Sequence, residues 1–287
     1  MVSSNRKVKV AALSIASNTI LIILKVVAGL LSGSVSIVSE AIHSGMDLVA
    51  SIIAFLSVRI SSKPADEKHP YGHGKIENIS GLAEGLLIFV AAFLIIKESI
   101  LKILHPAKIA ETGIAIIVMI VSAVVNILVS RTLFKVAKEE DSLALEADAL
   151  HLKTDVYTSF GVALGLILIK FTGISILDPI VATIVACLII KEAWHLSQNA
   201  FNPLIDSRLS DDEEAKIKEI MKMYKGEILD FHELKTRKSG HIRYIDFHIT
   251  IKSSLTAKDI HELIKRIEKS LEEKIKNIHV TIHIDHD

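Results

Sequence analysis

One cysteine, Cys187, stands in the whole chain, inside an apolar run, so no disulfide framework is available. Neither sign of charge is in excess: 33 Lys and Arg balance 33 Asp and Glu. A chain without a basic field lacks the electrostatic footprint of a nucleic-acid binder. No P-loop and no Gly-x-Ser-x-Gly elbow occurs, so nothing indicates ATP use or serine-hydrolase chemistry. His232 opens HELKT and His261 opens HELIK, but both lack the second His of the His-Glu-x-x-His zinc-protease pattern. No low-complexity tract interrupts the chain.

What is present is apolar. Half of the 287 residues are hydrophobic and the mean hydropathy is +0.45, too high for an ordinary soluble domain. Six apolar runs stand near 10–31, 36–58, 79–103, 112–134, 143–169 and 177–198, each close to the ~20 residues that cross a bilayer. The first follows a basic segment, but it outruns a signal-peptide core and no Ala-x-Ala site ends it, so it reads as a span. Arg6, Lys7 and Lys9 precede it. Arg59, Lys63, Lys68 and Lys75 fall around the link at 59–78, and Arg131, Lys135 and Lys138 around 131–142. The links at 32–35, 104–111 and 170–176 carry few cations. The positive-inside rule then predicts a multi-pass protein of the cell membrane, with both termini cytoplasmic and residues 1–206 as its six-span domain. Asp178 and Pro179 suit the N-cap and first position of the last span.

After Asp206 the pattern changes. An amphipathic helix with an acidic first turn, two alternating strands about Ser239–Gly240, a second amphipathic helix and a last strand follow. The αββαβ order over residues 207–287 predicts a small ferredoxin-like α+β domain. Seven of the thirteen histidines lie beyond residue 230. In the last strand His279, Thr281, His283 and Asp285 share one face.

Ionisable residues inside the apolar runs cost about 2.5–3.5 kcal/mol each on insertion scales, so their retention asks for a reason. SEAIHSGMD in the second run places His43 and Asp47 one helical turn apart. ALHLKTDVY in the fifth does the same for His151 and Asp155. One such residue alone is often a helix-packing hydrogen bond. Two matched pairs supply two imidazoles and two carboxylates, a tetrahedral set that Zn²⁺ accepts and that is neutral when loaded. An empty site would hold two negative charges in a low dielectric and so draw protons, which then compete with the metal. Lys153 points away from the pair and reads as an interfacial lysine, as do Lys97 and Lys25. Glu40 receives no role. Between the second and third runs, Asp66, His69 and His73 are spaced like ligands on a loop held by Pro64, Pro70, Gly72 and Gly74; a solvated polar loop is the competing reading. In the tail, His232, His248, His261, His283 and Asp285 come from separate elements that adjacent antiparallel strands could gather. The alternative is a set of surface histidines, which His241, His279 and His286 resemble.

Together these motifs resemble the cation diffusion facilitator family, zinc exporters that exchange metal for protons. The resemblance spans nearly the whole chain: the six runs, SEAIHSGMDL, PADEKHPYGHGKIE, ADALHLKTDVYTS and the histidine-bearing tail. It implies a transport site at His43, Asp47, His151 and Asp155, a loop site at Asp66, His69 and His73, and a binuclear tail site at His232, His248, His261, His283 and Asp285. It also implies a homodimer with a charge interlock between Lys75 and Asp206. Some bacterial members carry Asp where this chain has His43; the His form resembles members that favour zinc over cadmium, while manganese members tend toward carboxylates. The expected function is zinc efflux by proton antiport across the lipid bilayer, without organic cofactor or nucleic-acid partner. The alternatives are a membrane-anchored metal sensor, or the same transporter serving Fe²⁺, Mn²⁺ or Cd²⁺. A metal enzyme would need a general base beside the ion, and none offers itself beyond the ligands.

Overall fold

The computed structural model describes residues 2–32, 35–104, 113–172, 174 and 176–287. The chain forms two compact units, Met1–Pro64 with Ile76–Phe201, and Ala65–Lys75 with Asn202–Asp287.

The first unit is helical: α1 (Val2–Ser32), α2 (Val35–Ser61), α3 (Lys75–Leu104), α4 (Gly113–Glu140), α5 (Leu143–Thr172) and α6 (Leu177–Phe201). The helices run past the apolar stretches that predict them. The basic N-terminal segment is itself helical, with Arg6 2.6 Å from Glu139. The link expected around 131–142 shrinks to Asp141 and Ser142, because α4 carries Arg131, Lys135 and Lys138 on its last turns, where cations suit the helix dipole. α6 begins at Leu177, so Asp178 lies inside its first turn rather than at the N-cap. Among the described residues four segments are long and apolar enough to cross a membrane: Asn5–Ala28, Lys75–Leu101, Ile120–Glu140 and Pro179–Ile205. α2 and α5, the other expected spans, have many side chains outside the described set.

Two cores hold this unit. Ala11 of α1, Val58 of α2, Leu133 of α4, and Leu145, Ala149 and Leu152 of α5 form one. Ile88 of α3, Ala147 and Leu150 of α5, and Ile189 and Leu196 of α6 form the other. α5 feeds both, so its flanks are buried on two sides. Large side chains such as Leu30, Phe93, Leu128, Phe160 and Ile184 are exposed instead, as hydrocarbon-facing positions require. Polar groups turn inward. Lys7 donates to Glu77 at 3.1 Å, and Ser61 and Ser142 donate to the same carboxylate at 2.8 and 2.5 Å, tying four parts of the chain through one buried acid.

The second unit contains α7 (Asp211–Met223), β1 (Asp230–Ser239), β2 (Ile242–Ile251), α8 (Ala257–Lys274) and β3 (Ile278–His286). Capping boxes Ser210/Glu213 and Thr256/Asp259 start its helices. Leu263, Ile267 and Leu271 recur every fourth residue along α8, and with Ile217 and Ile220 of α7 they pack on Ile245, Phe247, Ile249 and Ile251 of β2. The sheet order is β1-β2-β3. β1 and β2 are antiparallel, but β3 joins β2 in parallel, not antiparallel as the strand pattern suggested, since α8 carries the chain back across the sheet. Because side chains alternate, burying Phe247 and Ile249 sends His248 to the opposite, open face.

Candidate metal centres

Three groups of His and carboxylate ligands, each with donor atoms within 4.8 Å of one another, occur among the described residues: Asp47–His151–Asp155, Asp66–His69–His73 and His232–His248–Asp285.

The first lies in the helical unit. Asp47 on α2 and His151 on α5 are buried, with His151 Nε2 3.1 Å from Asp47 Oδ1. Asp155 follows one turn after His151, and Asn126 of α4 donates to its Oδ2 at 3.5 Å. His43 precedes Asp47 by one turn on α2, but its side chain lies outside the described set, as does that of Glu40. A tetrahedral zinc with bonds near 2 Å sets its ligands ~3.3 Å apart, so this cluster needs a small contraction to close on an ion. His151 Nδ1 is buried without a hydrogen-bond partner. Lys153 is turned away, its ammonium over the rings of Phe134 and Tyr157 at 5.7 and 5.2 Å. Lys25 is not interfacial: it is buried and donates to Ser44 of α2 at 2.6 Å.

The loop cluster belongs to the second unit. Asp66 accepts from the backbone N–H groups of Lys68 and His69 at 3.0 and 2.7 Å, an Asx-type turn that fixes its carboxylate. Its oxygens sit 3.0 Å from His69 Nδ1 and 3.3 Å from His73 Nε2. The His69 backbone N–H, more than the nearby imidazole, holds Asp66 below the usual carboxylate range. His73 Nδ1 is an orphaned buried atom. This loop is pinned to the β1–β2 hairpin. Gly74 packs so close that a Cβ there would meet Ser239 O at 2.6 Å. Tyr244 donates to Tyr71 O at 3.2 Å, and the Arg237 guanidinium lies over both tyrosine rings. Lys75 reaches Asp206 at 2.8 Å with Arg237 3.6 Å away; Lys75 foremost depresses the Asp206 pKa.

The tail cluster is built by register. His232↔His248 and His248↔His283 are directly opposed across the three strands. A bulge between His232 and Lys235, with Glu233 at φ +50°, re-aims β1 beside the site. Asp285 is the hub: its Oδ2 is 3.0 Å from His248 Nδ1 and 3.3 Å from His232 Nε2, and its Oδ1 is 3.6 Å from His283 Nε2. The His248 hydrogen bond foremost lowers the pKa of Asp285. His283 stacks near His248 with ring centroids 4.5 Å apart, outside the tight trio. His261 is exposed on α8, also outside it. Asp230, 3.2 Å from His232, is a carboxylate that the sequence pattern did not single out, nor did it single out Asn126 or Glu77.

Residues 11–205 match the model of the cation efflux transmembrane domain, and residues 209–287 that of the cation efflux protein cytoplasmic domain. The chain belongs to the cation efflux family. It is 34% identical over 275 residues to an uncharacterized transporter of Synechocystis, covering 96% of this chain and 89% of that protein. It is 31% identical over 272 residues to the cation-efflux pump FieF of Shewanella oneidensis, covering 95% and 91%. An uncharacterized transporter of Methanocaldococcus jannaschii is 32% identical over 274 residues, with 95% and 96% covered. The protein is a multi-pass membrane transporter for efflux of divalent metal cations, not an enzyme.

Proposed function

We propose that this transporter exports zinc from the cytoplasm in exchange for protons, as a homodimer with six spans and both termini in the cytoplasm. The observation that carries the reading is the Asp47–His151–Asp155 cluster, with Asp47 and His151 buried. His43, one turn from Asp47, completes a neutral N2O2 set around a divalent ion. His151 Nε2 and Asp47 Oδ1, 3.1 Å apart, are spaced so that one proton or one cation bridges them. Metal and protons therefore compete for the same atoms, and a proton gradient drives the ion out. Imidazole nitrogen favours zinc over the harder cations. The loop and tail clusters take cytoplasmic zinc; their orphaned or hub-like donors, His73 Nδ1 and the Asp285 carboxylate, suit that role. Tail metal held by His232, His248, His261, His283 and Asp285 tightens the dimer. The division of labour is residues 1–206 for transport and 207–287 for metal binding and dimerisation.

The test is zinc flux into sealed vesicles of purified protein, with and without an imposed pH gradient. Gradient-dependent zinc uptake supports antiport. Binding without flux would favour a sensor, and preference for Fe²⁺, Mn²⁺ or Cd²⁺ in the same assay would reassign the cargo.

A further inference from the structure

Two carboxylates outside the metal cluster, Glu84 of α3 and Asp148 of α5, are fully buried, each with 0% exposure. Glu84 interrupts an apolar run. Ser80 donates to its Oε1 at 3.2 Å. Ser51 of α2 donates to Asp148 Oδ1 at 2.9 Å, and Ser51 is held by Asn18 of α1 at 2.7 Å and by Ser14 at 2.9 Å. The remaining oxygen of each acid, Glu84 Oε2 and Asp148 Oδ2, is buried with no hydrogen-bond partner. The charge of Asp148 acts on Glu84, and His151 and Asp47 act on Asp148 from the metal cluster's side. No Lys or Arg pairs with either acid among the described residues. Two such acids, with hydroxyl donors alone, cannot both stay ionised at membrane depth without a large cost.

A cation is a poor fit. The pair offers no imidazole, and the ligand atoms grouped around Asp47 do not extend to it. One proton fits better: it removes one of two buried charges and turns an orphaned acceptor into a donor. We propose that Glu84 and Asp148 form a proton-binding site distinct from the metal cluster, one of the two buried acids carrying a proton. Ser51 follows Asp47 by one turn on α2, and Asp148 precedes His151 by three residues on the oppositely running α5. Both displacements lead toward the basic links, so the site lies on the cytoplasmic side of the metal. This placement rests on the orientation proposed above. A proton that displaces zinc at the cluster then has a carboxylate on its exit route.

The test uses full-length protein in lipid bilayers. Infrared difference spectra at neutral pH should show a protonated-carboxyl band that shifts in heavy water, persists in Asp155→Asn and disappears in Glu84→Gln. Zinc stoichiometry and Kd should be unchanged in Glu84→Gln, while its zinc flux in vesicles loses its response to the pH gradient and Glu84→Asp recovers part of that response. Survival of the band in both Glu84→Gln and Asp148→Asn would overturn the proton site. So would loss of one bound zinc in Glu84→Gln, which would make the pair a metal site. The two readings separate cleanly: wild-type protein with the band but no zinc flux would sink transport alone, and flux without the band would sink this site alone.

Discussion

The membrane unit and the second unit gather the same ligand types under opposite conditions. Asp47 and His151 are buried among helices, whereas Asp285 and His232 are each 37% exposed at the side chain on an open sheet face. Water can stabilise an empty tail cluster, and the His248 hydrogen bond foremost holds Asp285 below the usual carboxylate range. Asp47 and His151 are nearly closed off from solvent, so an empty membrane cluster favours a cation or protons in that place. On the function proposed above, burial is what would make the one site a coupled carrier, and exposure what would let the other report metal without moving it.

The sharpest way to break this comparison is to remove one buried charge. Asp155→Asn leaves shape nearly intact but lets the loaded site carry net positive charge in a low dielectric. A penalty near 3 kcal/mol corresponds to a loss of about a hundredfold or more in zinc flux. Flux of Asp155→Asn within a few fold of wild type would show that the cluster is not the transport site.

A large effect on stability is expected at Glu77. Replacing it with Gln leaves Lys7 buried without its counter-charge, which typically costs about 3–5 kcal/mol. Thermal unfolding in detergent should shift down strongly, and Lys7→Met combined with Glu77→Gln should recover much of the loss. If the single variant melts like wild type, the pair is not structural.

The second unit should respond more gently. His248→Ala removes a strand-centre ligand at the surface, so zinc should lose most of its ability to raise the melting temperature while part of the flux remains. Its acid sensitivity has a defined sign. Asp206 is depressed below its ordinary value by Lys75, so the pair's contribution is complete above about pH 4 and fades as pH falls through the lowered folded pKa. Asp206 is half exposed, and screening limits the effect to about 1 kcal/mol or less. Asp206→Asn should therefore flatten the acid limb of the stability curve only slightly, as followed by hydrogen exchange in β1.

How much of this was legible in the sequence differs between the units as well. Long apolar runs announced the helices, because a bilayer length leaves few alternatives. Their ends were not legible: Arg131, Lys135 and Lys138 look like a link but continue α4, since basic residues suit a helix C-terminus as well as a loop. The parallel pairing of β3 was hidden because alternation fixes which face is buried, not strand direction. His151 and Asp155 stood out by spacing, as did Asp66, His69 and His73 on their loop, while the tail histidines were candidates whose ligand role the family resemblance implied. Glu84 and Asp148 were visible as charges in apolar surroundings. Their surroundings, Ser14, Ser51, Ser80 and Asn18, are ordinary residues on three helices, and only packing brings them together.

The smallest effect is expected at Lys153, which sits between the two ligands of α5 in sequence yet not in space. Two residues from each, it projects from the other side of the helix, and its ammonium rests over Phe134 and Tyr157. Such cation–π contacts are worth about 0.5–1 kcal/mol at partly exposed sites. Lys153→Leu loses that attraction but gains apolar contact with the same rings, so stability should change little and zinc flux should stay within about twofold of wild type. The measurement is vesicle zinc flux beside Asp155→Asn under one imposed pH gradient. A dead Lys153→Leu together with an active Asp155→Asn would mean that the faces of α5 are exchanged in the working transporter, and the contrast between a buried carrier site and an exposed reporter site would fall with them.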